Sequence, residues 1–326
     1  MTARAGGTAI ADDGARSPGA GRAGAPPRPA ADHRRRPHRS RGLRLVPWLF
    51  LAPALILFLY FKYIPMARGL WMSFFNVRPF LGDEWIGLAN YGRVFTDESF
   101  RSAMGHTLVL ATAQTAGAMI LGFVLALLLE GKARTLWVVR SAAFLPVVTA
   151  IAVVGEVWRL LYFAGDQGML NTLFGLLGFG PEKFLDDPRT ALWWVILVGV
   201  WKHAPYDMMI ILAGLAGIDR QHYEAAALEG ASLLQRIRHV TIPALRPVIT
   251  ILVTLACIRG LRVFTEVFVL TGGGPAGATD VVMTRIYALG FDAGDLGFAS
   301  AASVLLFLTT LVLTVAVTVY RRRREI

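Results

Sequence analysis

The chain has 326 residues, 55% of them hydrophobic and 17% charged, well below the roughly one-quarter charged content of a soluble domain. Its net charge of +11 does not point to nucleic acid: the excess basic residues sit mostly in the first 44 residues and the last six, with no aromatic before Trp48 to interleave with them. The single cysteine, Cys257, excludes an intrachain disulfide, and no Cys or His set has zinc spacing, so no metal site is expected.

Residues 1–44 are rich in Ala, Gly, Pro and Arg and cannot bury enough apolar surface to fold. They read as a disordered basic tail. Arg34-Arg35-Arg36 resembles a twin-arginine export signal, but the apolar stretch after it has no small-residue cleavage site, so a retained span is expected. Six segments then approach the ~20 residues that helix needs to cross ~30 Å of hydrocarbon. They are 47–66, 105–129, 141–163, 191–214, 247–270 and 298–320. The expected fold is therefore all-α and polytopic, with residues 45–326 as one six-span domain. Lys and Arg number 21 in the tail, the 130–140 and 215–246 connections and the terminal Arg run, against seven in the 67–104, 164–190 and 271–297 connections. Positive charge stays on the cytoplasmic side, so both termini are expected there, and Arg321–Arg324 reads as a stop-transfer anchor.

Ionisable groups inside spans usually face a cavity or a partner. The third segment carries Glu156, Trp158 and Arg159, and the fourth carries Trp201, Lys202 and Asp207 beside His203 and Tyr206. The fifth carries Arg259, Arg262 and Glu266, which a continuous helix places on one face, with Arg262 and Glu266 able to pair at i, i+4. Charged groups with aromatic planes suit a sugar, whose hydroxyls need polar partners and whose ring face needs an apolar one. Mutual pairing, or pairing with a second subunit, satisfies the same groups without any substrate. His203 reads as a packed or hydrogen-bonded residue.

The 215–246 connection is compact. Asp219 is placed as an N-cap, with Ile218 and Tyr223 as a hydrophobic staple around a short Ala-rich helix. Gly230 ends that helix, and Ser232 with Gln235 forms a capping box for a second one. A helix seated in a protein groove and a helix lying on a membrane surface share this pattern.

Tyr223-Glu224-Ala225-Ala226, Glu229-Gly230-Ala231-Ser232 and Val240-Thr241-Ile242-Pro243 together resemble the EAA loop of ABC importer permeases. That family usually has Asp at position 229, Phe at 237 and Leu at 242. Leu51-Ala52-Pro53, Gly87-Leu88-Ala89-Asn90-Tyr91, Leu215-Ala216-Gly217-Ile218 and Thr271-Gly272-Gly273-Gly274-Pro275 resemble its carbohydrate-uptake branch, although His106 stands where Asn usually precedes Thr-Leu. The resemblance implies a permease subunit in a bacterial cytoplasmic membrane, paired with a second, non-identical permease in the lipid bilayer. It implies docking of the EAA loop on a cytoplasmic ATPase dimer, with Glu224 meeting a basic group there. It also implies delivery of a sugar or polyol by an external solute-binding protein. ATP would be bound by the partner, not by this chain, because Gly272-Gly273-Gly274 lacks the following Lys-Ser/Thr of a P-loop. A stand-alone secondary transporter is the alternative; it predicts an internal repeat, which is not evident. A membrane enzyme would need a nucleophile–base pair or a metal set, and neither motif is present.

Overall fold

The structure, a computed structural model, describes residues 42–78, 82–165 and 167–324. The tail expected to be disordered lies almost wholly outside these residues. The described residues fall into two compact units divided between Leu55 and Ile56.

The first unit contributes the start of α1, Gly42–Phe58. A five-residue π turn, Leu59–Tyr63, carries the chain into α2, Ile64–Met72. The first apolar run therefore continues past the expected end at 66, to Met72. Ile64 N–H bonds back to Leu59 O, and the widened turn relieves the clash of the Pro65 ring with the carbonyl four residues before it. The same device precedes Pro243, where a π turn spans Ile237–Thr241.

A two-residue antiparallel ladder follows, β1 Phe75–Asn76 against β2 Glu84–Trp85, the one departure from all-α among the described residues. Then come α3 Ala89–Thr96, α4 Glu98–Leu128, α5 Arg134–Val148, α6 Ile151–Leu161, α7 Met169–Leu176 and α8 Ala191–Ala216. The second half holds α9 Arg220–Leu228, α10 Leu233–Arg236, α11 Ile242–Ala244, α12 Arg246–Leu261, α13 Thr265–Leu270, α14 Val282–Tyr287 and α15 Leu296–Arg324.

Four helical runs are long and apolar enough to cross a membrane: Pro47–Met72, Glu98–Leu128, Ala191–Ala216 and Leu296–Val319. Two further candidates are bent pairs. Arg134–Val148 and Ile151–Leu161 meet at 96°, and Leu233–Ala244 and Arg246–Leu261 at 68°. The segment expected as one helix over 141–163 is thus broken at Thr149-Ala150. The segment expected over 247–270 is broken at 262–264, between α12 and α13.

The seam between α4 and α8 is built on small residues. In α4, buried positions recur every three or four residues from Thr107 through Leu110, Gln114, Ala118, Gly122 and Ala126, one helical face. A Cβ on Gly122 would stand 2.8 Å from Ala204 O and 3.0 Å from Met208 N. Both are backbone atoms and cannot swing aside. Gly122→Ala is therefore expected to push the helices apart and lower stability by about 1–3 kcal/mol, the usual range for overpacking. Gly105→Ala, with nothing within 4 Å of its Cβ, should be neutral or slightly stabilising. Thermal unfolding of the purified variants in detergent checks both. Around this seam lie Met208, Ile211, Leu215, Leu245 and Leu252 at one end and Leu110, Val195, Val198 and Val267 toward the other.

Candidate functional site

Both breaks and the middle of α8 meet at one cavity of about 260 Å³, lined by Gln114, Lys202, His203, Asp207, Arg259, Arg262 and Glu266 among others. Non-helical backbone at membrane depth is tolerated where it is covered by protein or lines a polar cavity, and this is where both interruptions fall. Ile151, at the start of α6, and Thr265, at the start of α13, also line it.

Lys202 is buried. Its Nζ donates to Thr149 O at 2.5 Å, to Val147 O at 3.4 Å and to Pro146 O. These carbonyls lie at the C-terminal end of α5, which has no following turn to donate to them. An ammonium there also complements the negative end of the helix dipole. Lys202 thus caps the break in the third segment. It was expected among the substrate-path groups, and its donors are already engaged by the protein.

His203 Nε2 donates to Glu266 Oε1 at 2.9 Å, and Gln114 Nε2 donates to Glu266 Oε2 at 3.1 Å. The sequence reading paired Glu266 with Arg262 on a continuous helix. The helix ends at Leu261, so the i, i+4 geometry does not exist, and Glu266 turns to α8 and α4 instead. Arg259 reaches across to Asp207 at 3.7 Å, with its guanidinium 5.7 Å from the Tyr206 ring. Asp207 is 1% exposed, and its Oδ1 has no hydrogen-bond partner among the described residues. Arg262 is exposed and makes no ion pair or side-chain hydrogen bond among them. Among the described lining residues, Arg262 therefore offers a free donor, while the Asp207 carboxylate is buried against Arg259. Paired side chains occupy the rest of the wall.

The remaining expected residues lie elsewhere. Trp158 and Trp201 meet edge to face at 5.5 Å and line an apolar hollow of about 530 Å³ against Pro146 and Val153. Glu156 and Arg159 pair with each other at 3.6 Å, both well exposed, beside a larger hollow that includes Thr271 and Pro275. Of the nine residues expected to line one path, the cavity gathers Lys202, Asp207, Arg259, Arg262 and Glu266. The sequence reading passed over Gln114, although an amide inside an apolar helix was the signal that could have found it.

The 215–246 connection has the expected local chemistry. Asp219 Oδ1 accepts from Gln221 N at 3.0 Å. Ser232 and Gln235 bond reciprocally, at 2.7 Å and 3.4 Å. Gly230 has φ +80°, in the left-handed region that glycine enters freely. Tyr223 OH meets Thr241 Oγ1 at 3.0 Å, tying α9 to the helix that follows. Ala225, Glu229 and Glu224 are exposed, Ala226, Ala231 and Pro243 half-buried. Leu228 is 91% exposed, and Leu233 and Leu234 project beside it. Three uncovered leucines on this turn form an apolar tip that nothing among the described residues covers.

Residues 118–325 match the family described as binding-protein-dependent transport system inner membrane component. The chain is 33% identical over 280 residues to the trehalose/maltose transport system permease protein MalF of Thermococcus litoralis, covering 85% of this chain and 94% of that one. It is 31% identical over 275 residues to the sulfoquinovosyl glycerol transport system permease protein SmoG of Agrobacterium fabrum, covering 84% and 89%. Among solved structures, a bacterial ABC transporter that imports the acidic polysaccharide alginate superposes with a TM-score of 0.75 at 27% identity, covering 86% of this chain and 96% of that one. A bacterial alginate ABC transporter in complex with an alginate pentasaccharide-bound periplasmic protein superposes with a TM-score of 0.74 at 26% identity, covering 86% of this chain and 96% of that one.

Proposed function

The chain belongs to the family of binding-protein-dependent transport system inner membrane components, and from that premise we propose that it is a permease subunit of an ATP-driven importer of a sugar or related polyol. It crosses a bacterial cytoplasmic membrane six times, with both bent pairs counted as spans and both termini cytoplasmic. It shares the translocation path with a second permease. An external solute-binding protein delivers the ligand, and a separate ATPase dimer binds and hydrolyses ATP.

The observation that carries this reading is the α9–α10 unit. Its caps are complete, Gly230 sets its bend, and its Leu228–Leu234 tip is uncovered. A rigid, self-capped unit with an apolar tip is suited to a protein groove. It leads through Pro243 into α12, and α12 ends at the cavity. A push on the unit therefore has a direct covalent route to Arg259 and the 262–264 break. At the cavity, the Arg262 guanidinium supplies a donor for sugar hydroxyls, and the Trp158–Trp201 pair supplies aromatic faces nearby.

Mild solubilisation of tagged native membranes, followed by mass spectrometry of what co-purifies, tests the assembly. A cytoplasmic ATPase and a second permease in comparable amounts are expected. A chain that purifies alone through several mild detergents would overturn the proposal and favour a stand-alone transporter.

A further inference from the structure

Between the end of α2 and the start of α4 the chain builds a plate of aromatic rings. Trp71 packs on Phe75 at 5.3 Å, Phe75 on Trp85 at 5.0 Å, and Phe74 stacks on Trp85 at 5.5 Å with an interplanar angle of 16°. The plate is held from behind. Asn90 Nδ2 donates to Ser73 O at 3.1 Å and Phe75 O at 3.0 Å, and Tyr91 OH meets Ser73 Oγ at 2.7 Å. A Cβ on Gly297 would stand 2.1 Å from Phe75 O, so the start of α15 closes directly onto β1. Yet Trp71 is 64% exposed and Trp85 59%, with Leu88 and Phe95 uncovered on the flanking helix. This is an apolar surface that nothing among the described residues covers.

Two depth markers say what covers it. The apolar run Pro47–Met72 has 26 residues, about 39 Å of helix at 1.5 Å per residue, against a hydrocarbon layer of ~30 Å. Trp71 is its second-last residue, so it falls beyond the hydrocarbon edge when the run spans it. The second marker is charge. Arg93 and Asp295 pair at 2.8 Å beside the start of α15, and Asp97 caps α4 by accepting from Phe100 N at 2.7 Å. Charged groups that begin two spans at this level mark the water side of the same boundary. Aromatic rings with a polar edge favour that layer.

We propose that the Trp71–Phe74–Phe75–Trp85 plate, with Leu88 and Phe95, lies in the headgroup layer of the leaflet where α2 ends and anchors the first span there. Its partner is a phospholipid surface. The 67–104 connection is then largely occupied by lipid. The inference rests on membrane insertion alone and is independent of the substrate or the partner subunits.

Cys257 is the only cysteine, so a Cys257→Ser background accepts one nitroxide label at a time. Trp85→Cys, Leu88→Cys and Asp83→Cys versions of the full chain, with whatever subunits co-purify, are placed in lipid nanodiscs. Power saturation then compares collision with oxygen, which partitions into lipid, and with a water-soluble nickel chelate. The oxygen-to-nickel ratio at 85 and 88 should stand well above that at 83, just before β2, where nickel should dominate. A ratio at 85 and 88 as low as that at 83 would overturn the proposal, because the plate would face water or a soluble partner. Low collision with both reagents would also overturn it, because protein would cover the plate. Since Trp85→Cys removes a ring, a second measurement keeps the plate intact. Quenching of native tryptophan fluorescence by lipids brominated near the headgroup should fall in the Trp71→Phe, Trp85→Phe double variant. Unchanged quenching would count against the proposal.

Discussion

Glu224→Ala is expected to cut ATP-driven uptake by a factor of ten or more while leaving the permease folded. Glu224 is exposed and makes no side-chain hydrogen bond or ion pair among the described residues, so none of their packing depends on it. Its value lies in the contact proposed with a basic group on the ATPase. Truncating one partner of a buried charge pair at an interface costs about 2 kcal/mol at the low end, roughly a 30-fold loss of association. Gly230 acts differently. Its φ of +80° is closed to proline, which is locked near −65°, and its N–H bonds to Ala227 O at 3.0 Å. Gly230→Pro should lose both the bend and that bond, and uptake with them. Gly230→Asn tolerates the left-handed conformation and should retain most activity. Uptake assays alongside ATPase co-purification and thermal unfolding separate these outcomes. Wild-type uptake and stoichiometric ATPase with Glu224→Ala would remove this unit from the coupling path.

The residues of that unit were legible in the sequence because its determinants are local. Asp219 reaches Gln221, Ser232 reaches Gln235, and Gly230 needs only its own backbone. The four long apolar runs were legible for a similar reason, since hydropathy is read off neighbouring residues. The cavity was not. A run such as Pro146-Val147-Val148-Thr149-Ala150 is as apolar as the helix around it, so hydropathy passes straight through the break. What makes the break tolerable is Lys202, 53 residues later. The face assigned to Arg259, Arg262 and Glu266 failed because a periodicity of 3.6 was carried across 262–264, where the backbone leaves the helix at Arg262, φ −110°. The partners of Glu266 are His203, 63 residues away, and Gln114, 152 residues away. Long-range polar pairing inside a bundle leaves no short-range trace.

Lys202→Met is expected to destabilise the chain strongly, and the pattern of its effects separates two roles for this lysine. As a cap, Lys202 supplies the donors that Thr149, Val147 and Pro146 carbonyls lack at the end of α5. Methionine keeps the length and apolar stem but offers no proton. A buried polar group left unsatisfied costs about 1–3 kcal/mol. Water entering from the adjoining cavity can replace some of the lost bonds, so a total of about 3 kcal/mol is the reasonable expectation for the three acceptors. The melting temperature of the purified protein should fall by several degrees, and uptake should fall with it. Lys202→Arg retains donors at the same site and should recover part of both. As a substrate contact alone, Lys202 would behave otherwise: Lys202→Met would lose uptake with unfolding unchanged. Glu156→Ala provides the reference, since its one ion pair is exposed and such pairs contribute little. Equal melting temperatures for Lys202→Met and wild type would show that the 96° break holds without its cap, and would return the ammonium to the list of groups free to meet a substrate.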